Sequence, residues 1–546
     1  MKKEVFYKIS MALVLCSMIW ICKPIAIHAA GSINVTTIEE LTAAVNANTY
    51  DDICITTDME LKQPLTILNT VKIVVKDDVT FTIGQGGSLS YDWINGSSDY
   101  PYLWLESNLN SDTEVALLNV KDGGVLNAGT SLRIQQEAKL VIDEGVVGVD
   151  APYYYNYSDE KTGLYNEGSI TLENTNSILG VGGTAHSNYV MLDTVNKKCF
   201  TNTGTGSIAV NHGVFMITSD ITENSSMSYG LDEYCLNEGT ITTHNEGGIL
   251  IEGAEENPAT EAVSDLGFYN TGTIELNGSG MPNCGYSELS YLDHTGESTS
   301  MNPVMFIKMG NFINIGTVDV KNLTSSAVGI YIHNIMTSPP VYSTFYNKGT
   351  LNIANTAGDG LNIKGYEYDS RLVNDTIGTI NITSSKSAAG ISGWRHGKII
   401  NNGTMNINNA SGESKINSIG LIWYDTNLTN TGTITNNGSV GYRPTYYNGT
   451  NSFPTVTGTP IAKGPSGKEV IEYNFETDPI SKTDCPATFT LGGVPIRCIQ
   501  SVYWMTYASL STFIPVGETM TVSAVTDSGI SSRNNQAGLR SILVYG

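Results

Sequence analysis

The chain has 546 residues, 40% hydrophobic and 15% charged, which supplies a large core and argues against disorder. Its 53 acidic against 29 basic residues leave a net charge of −24, so nucleic acid is repelled rather than bound. The 56 glycines and the short apolar alternations argue against a helical or doubly wound enzyme and for many short strands and tight turns.

Residues 1–30 open with Lys2 and Lys3, run through an apolar stretch from Ile9 to Ile21 and close on Ile27-His28-Ala29-Ala30, the pattern of a secretory signal peptide. The run of ~13 residues is too short to span a bilayer. Leu15 and Ile21, before Cys16 and Cys22, are too bulky for a lipoprotein cleavage site. Export from a bacterium, to its surface or surroundings and without a membrane span, is the expectation. The segment carries four lysines against Glu4, so the chain after it has a net charge of −27.

Residues 31–84 read as a cap and first coils. Thr37-Ile38-Glu39-Glu40 is a capping box, and Ile38, Leu41 and Val45 share one face of a helix that ends before Asp51. Strands are predicted at 53–55, 65–67, 71–75 and 79–83.

Residues 85–440 carry a repeat, Asn-x-Gly-Thr/Ser followed by alternating aliphatics. Clear copies begin at Asn166, Asn237, Asn270, Asn314, Asn347, Asn401 and Asn430, and weaker ones at Asn127, Asn202 and Asn374. A second register, Gly329, Gly360, Gly390 and Gly420, recurs at intervals of 31, 30 and 30 residues. In most units a third apolar pair precedes the Asn, as in Phe312-Ile313 and Phe345-Tyr346. Three short strands per repeat are the content of one coil of a parallel β-helix. Coils stack about 4.8 Å apart, so like lies over like. Ile170, Ile241, Ile274, Val318, Leu351, Ile380, Met405 and Ile434 form an interior column, and the motif asparagines form another at a bend, where amides bond one another. The motif glycine is expected to supply backbone freedom at the corner.

The capped start and the repeats to about residue 440 resemble pectate-lyase-like right-handed β-helices. The resemblance implies an all-β, single-stranded parallel β-helix with an N-terminal capping helix. That family includes polysaccharide lyases and hydrolases as well as adhesins and autotransporter passengers without catalysis, so it leaves function open. The Arg-x-Pro-x-x-Arg signature of pectate lyases is absent, the nearest fragment being Arg443-Pro444, and the polygalacturonase set does not assemble from Asp77-Asp78 and Arg395-His396-Gly397. No calcium-binding repeat, other metal motif or cofactor motif appears.

Beyond the second register lie Tyr331 and His333; Tyr366, Glu367, Tyr368 and Asp369; Trp394, Arg395 and His396; and Trp423, Tyr424 and Asp425. On neighbouring rungs these rings and carboxylates suit sugar binding, with Tyr331, Tyr366, Tyr368, Trp394, Arg395, Trp423 and Tyr424 as the contacts. The bland reading is that they cover loops or meet the C-terminal region. Asp369, His396 and Asp425 are the weak catalytic candidates. Further aromatic clusters, Tyr91, Trp93, Tyr102 and Trp104 and the run 153–157, read as lids in long insertions.

Residues 441–467 read as a linker or as irregular cover over the last coil, and 468–546 as a small antiparallel β-sandwich capping the far end. Six cysteines follow the signal segment with no CxxC pair, and Cys485 and Cys498 flank a hairpin and read either as a disulfide or as small buried free thiols. The sequence thus leads to an exported bacterial surface or matrix protein, an adhesion module for a polysaccharide or cell-surface glycan. The alternative is a polysaccharide lyase or glycoside hydrolase of the same fold.

Overall fold

The computed structural model describes residues 31–476 and four later strands, Thr488–Leu491, Val494–Arg497, Ser509–Pro515 and Val522–Ala524. Stretches joining strands are outside the description, among them 92–102, 107–115, 150–162, 220–234, 254–266, 282–301 and 409–418. The signal segment, Cys199, Cys284 and the Cys485–Cys498 pair also lie outside the described residues. Cys54 is a buried free thiol, and Cys235 is buried as well.

Each coil contributes three strands, seen in Ser343–Asn347, Thr350–Ala354 and Asp359–Gly365. All three pair in parallel with the equivalent strands of the next coil, Ser370–Asn374, Thr379–Ile382 and Ala389–Arg395. The first face is a sheet of 15 strands running from Ser32–Val35 to Val456–Gly458. The second and third faces merge into one sheet of 27 strands because Ser207–Ser219 and Thr240–Gly253 run unbroken round the corner between them. A register shift between Val210 and His212 marks that corner. The architecture is a right-handed parallel β-helix with one helix at its start and antiparallel strands at its end.

Alternation decides what fills the bore. Leu351 and Ile353 are fully buried on the second face, and their ladder partners Ile380 and Ile382 repeat the pattern one coil on. On the first face Phe200, Phe268, Phe312 and Phe345 form a file with successive ring centroids 5.9, 5.5 and 4.9 Å apart, and Cys235 occupies the rung between the first two. One continuous apolar cluster extends from Val35 to Val440.

The asparagine column is present and bonded. Asn166, Asn202, Asn237, Asn270, Asn314, Asn347, Asn374, Asn401 and Asn430 are fully buried, and each Nδ2 donates to the Oδ1 of the next at 2.7–2.9 Å. Asn430 closes the series on the Thr459 carbonyl at 2.7 Å. The second N–H of most members reaches a carbonyl at the corner, as from Asn374 to Thr404 at 3.1 Å, so the amides satisfy backbone groups that the bend leaves unpaired. Asn127 does not join. It stands on the third face, paired with Ser90 and Gly148, and the rung before Asn166 holds Ile134 instead. Asn166 Oδ1 therefore has no hydrogen-bond partner.

The motif glycines serve a different purpose from the one expected. Gly316, Gly349 and Gly432 all have ordinary negative φ, but a Cβ on each would lie 2.1 Å from the carbonyl oxygen of the preceding motif glycine. The corner needs the missing side chain, not a left-handed backbone. The second register has a similar cause: a Cβ on Gly360 would meet Ile353 Cγ2 at 2.4 Å and the Gly390 carbonyl at 2.5 Å.

The helix Ile38–Ala47 closes the first coils, with Leu41, Ala44 and Val45 buried and Ile38 packed at the edge of the core. Thr37 Oγ1 accepts the Glu40 N–H at 3.2 Å. The Glu40 carboxylate reaches back past Thr37 to accept the Thr36 N–H at 2.7 Å and its hydroxyl at 2.8 Å. Those bonds, the backbone one first, hold its carboxyl below the usual range.

At the other end the stretch 441–467 is not a linker. Val456–Gly458 and Ala462–Lys463 add rungs to the first and second faces, and Lys468–Glu476 adds one to the third. Lys468–Glu476 then pairs antiparallel with Ser509–Pro515, and Thr488–Leu491, Val494–Arg497 and Val522–Ala524 form a separate antiparallel sheet. Two earlier hairpins are antiparallel as well, Thr184–His186 with Tyr189–Met191 and Thr445–Tyr447 with Thr450–Ser452.

Candidate functional site

The second-register strands Ala327–His333, Asp359–Gly365, Ala389–Arg395 and Ile419–Tyr424 are successive rungs of the third face. Their inward positions are Ile330, Leu361, Ile391 and Leu421, then Ile332, Ile363, Gly393 and Trp423. Trp423 is therefore a bore residue, 3% exposed and part of the continuous core, in register with a glycine. It presents no face to solvent. The sequence placed it beside Trp394, yet the two differ by one position in the alternation, since Trp394 pairs with Lys364.

The outward file runs Phe306, Tyr331, Asn362, Ser392, Ile422. Tyr331 is 1% exposed, with its ring 5.4 Å from that of Phe306, in a satellite apolar cluster with Val214, Met216, Leu250, Met281 and Val328. It too is out of reach of a ligand. His333 stacks on Tyr331 at 5.5 Å and its Nδ1 lies 2.9 Å from the Lys364 carbonyl, an acceptor, so the imidazole donates.

Past Tyr331 the file turns polar. Asp359 accepts the Ala389 N–H at 3.0 Å, Asn362 Nδ2 at 3.3 Å and Ser392 Oγ at 3.5 Å, which ties two coils together. Asn362 is fully buried and its Oδ1 has no hydrogen-bond partner. Enclosure pushes the Asp359 carboxyl up, against the opposing pull of its three donors. Ser392 meets only a carboxylate there, and no imidazole stands between them to act as base. The cluster is a brace between coils.

Tyr366, Glu367, Tyr368, Asp369, His396 and Asp425 lie outside the described residues, as do the side chains of Trp394, Arg395 and Tyr424. Backbone register brings Tyr424 opposite Arg443. Of the aromatic clusters read as lids, Tyr91 and Trp104 stand on strands Ser88–Tyr91 and Leu103–Leu105, and Tyr91 is a core residue whose hydroxyl is pushed far up by burial. Among the described residues no three His, Cys, Asp or Glu side chains gather to hold a metal ion, and no helix is long and apolar enough to cross a membrane.

On the second face, which carries none of the ring residues, the Thr of each Asn-x-Gly-Thr unit and the polar residue two positions later point outward in two unbroken files. The signal was in the motif itself, because every residue of an outward column repeats as faithfully as an inward one. No protein-family model matches the chain, and no curated protein matches it.

Proposed function

We propose that this chain is an exported bacterial adhesion rod, a pectate-lyase-like β-helix that binds glycan at a cell surface or in a matrix and does not cleave it. The observation that carries the reading is the buried asparagine ladder from Asn166 to Asn430. It spends nine side chains on holding coil to coil and none on chemistry. A lateral tie at every rung makes a stiff spacer with long, regular faces, which suits a module that must present a surface at a distance from the cell. On the third face Asp359 accepts hydrogen bonds from Asn362 and Ser392, which supports the non-catalytic side.

The test is to incubate the purified chain with neutral and acidic polysaccharides, following unsaturated products, reducing ends and retention on the immobilised polymers. Retention without product is the expected result. Turnover that disappears in Asp369→Ala or His396→Ala would replace this reading with the enzymatic one.

A further inference from the structure

We infer that the outer surface of the second face, from Thr240 to Thr433, is the glycan-binding surface and that it takes a neutral, extended polysaccharide lying along the axis of the rod. The inference rests on the glycan-binding reading above.

The first file is Thr240, Thr273, Thr317, Thr350, Thr379, Thr404 and Thr433, all in register. Thr240, Thr404 and Thr433 are exposed and the others half-buried, as side chains in the middle of an open sheet are. The second file is Thr242, Glu275, Asp319, Asn352, Asn381, Asn406 and Thr435. Within it Asn352 Nδ2 donates to Asp319 Oδ1 at 2.8 Å, Asn381 to Asn352 at 2.9 Å and Asn406 to Asn381 at 3.0 Å. These amides are held in one orientation before any ligand arrives, and each middle one keeps an N–H and an acceptor lone pair for a partner.

Position along the strand separates the two files by about 6.6 Å, and rungs follow one another at about 4.8 Å. The result is a flat grid of hydroxyls and amides. A rigid array of equivalent weak donors and acceptors is matched by a partner that repeats equally regularly, because each further unit then binds without a new loss of translational freedom. A polyhydroxylated chain meets that description.

Charge selects among such chains. The grid carries carboxylates at Glu275 and Asp319, and Lys321 is paired with Glu275 at 2.9 Å. A polyuronate would bring further negative charge to a chain already at −24, so a neutral polymer fits better. Area disfavours a second copy of the chain. Seven rungs of about four residues cover roughly 400 Å², about half of the ~800 Å² per partner that a stable protein interface buries.

The experiment measures retention of the full chain on immobilised hexasaccharides of β-1,4-linked glucose and xylose, on polygalacturonate and on a broad glycan array, for wild type and for a Thr350→Lys, Thr379→Lys double variant. Circular dichroism confirms that the variant keeps its strand content, and a Thr379→Val variant removes one hydroxyl with its shape kept. The expected result is that wild type binds a neutral oligomer and the double variant loses about tenfold or more of that affinity, with a smaller loss for Thr379→Val. Unchanged binding by a folded double variant would overturn the location while leaving glycan binding intact. Binding of polygalacturonate alone would overturn the neutral assignment. Failure of wild type to bind any glycan would overturn both readings, and self-association in sedimentation that the double variant abolishes would assign the face to a second copy.

Discussion

Asn347 Nδ2 donates to Asn374 Oδ1 at 2.7 Å across 27 residues of sequence, both side chains being fully buried. The same bond repeats on either side of them, so Asn374 is at once acceptor for one coil and donor to the next.

Replacing Asn374 with Ala strands an Asn347 N–H and the Asn401 Oδ1, and takes one donor each from the Gly378 and Thr404 carbonyls. A loss of about 2–4 kcal/mol is expected. Asn166→Ala orphans fewer groups, because that residue's Oδ1 has no donor to lose, and about 1–2 kcal/mol is expected there. Denaturant midpoints and amide hydrogen exchange around each site compare the two, and equal losses would refute the ladder as a cooperative chain of bonds.

Trp423→Ala is expected to act as a core truncation, costing about 3–5 kcal/mol, because the indole fills the bore. Glycan retention per folded molecule is expected to stay unchanged. A stable variant with lost retention would return Trp423 to the surface.

The Asp359 carboxyl, raised by its enclosure, makes stability depend on pH in a known direction. The folded state holds its proton more tightly than the unfolded chain, so the contribution is complete below the ordinary carboxylate range and is lost as pH rises through the raised value. Asp359→Asn is expected to flatten that decline. Melting temperatures from about pH 4 to pH 8 measure it, and an unaltered slope in the variant would assign the decline to other groups.

Asp375 works in the opposite sense. Partial burial pushes its carboxyl up, but hydrogen bonds from Tyr346, Thr376 and the Ile377 N–H, with Lys348 nearby, bring it below the ordinary value. Its contribution is present above the unfolded pKa and is lost as pH falls through the depressed one. Tyr346→Phe removes the Tyr346 hydroxyl bond and is expected to shrink the acid-side loss. Acid titration of the melting temperature would show an equal loss in wild type and variant if that bond were idle.

What the sequence by itself determined is everything that repeats locally. The inward aliphatics, the asparagine file, the helical cap and three strands per coil follow from period-two alternation and from a motif whose copies must coincide when coils stack. The same logic made the outward threonines legible, although rings drew the eye first. Only the tertiary structure decided parity and cover. A displacement of one position sends Trp423 inward while Trp394 falls in the other file, Asn127 stands on a different face from its apparent kin, and Tyr331 is buried by an apolar cluster assembled from four other strands and the residue Met281. Residues 441–467 likewise show no clear motif, yet they wind one more coil because the rung beneath offers unpaired backbone groups along its edge. Stacking is a relation between distant segments, and the alternation within one segment cannot say which neighbour it will meet.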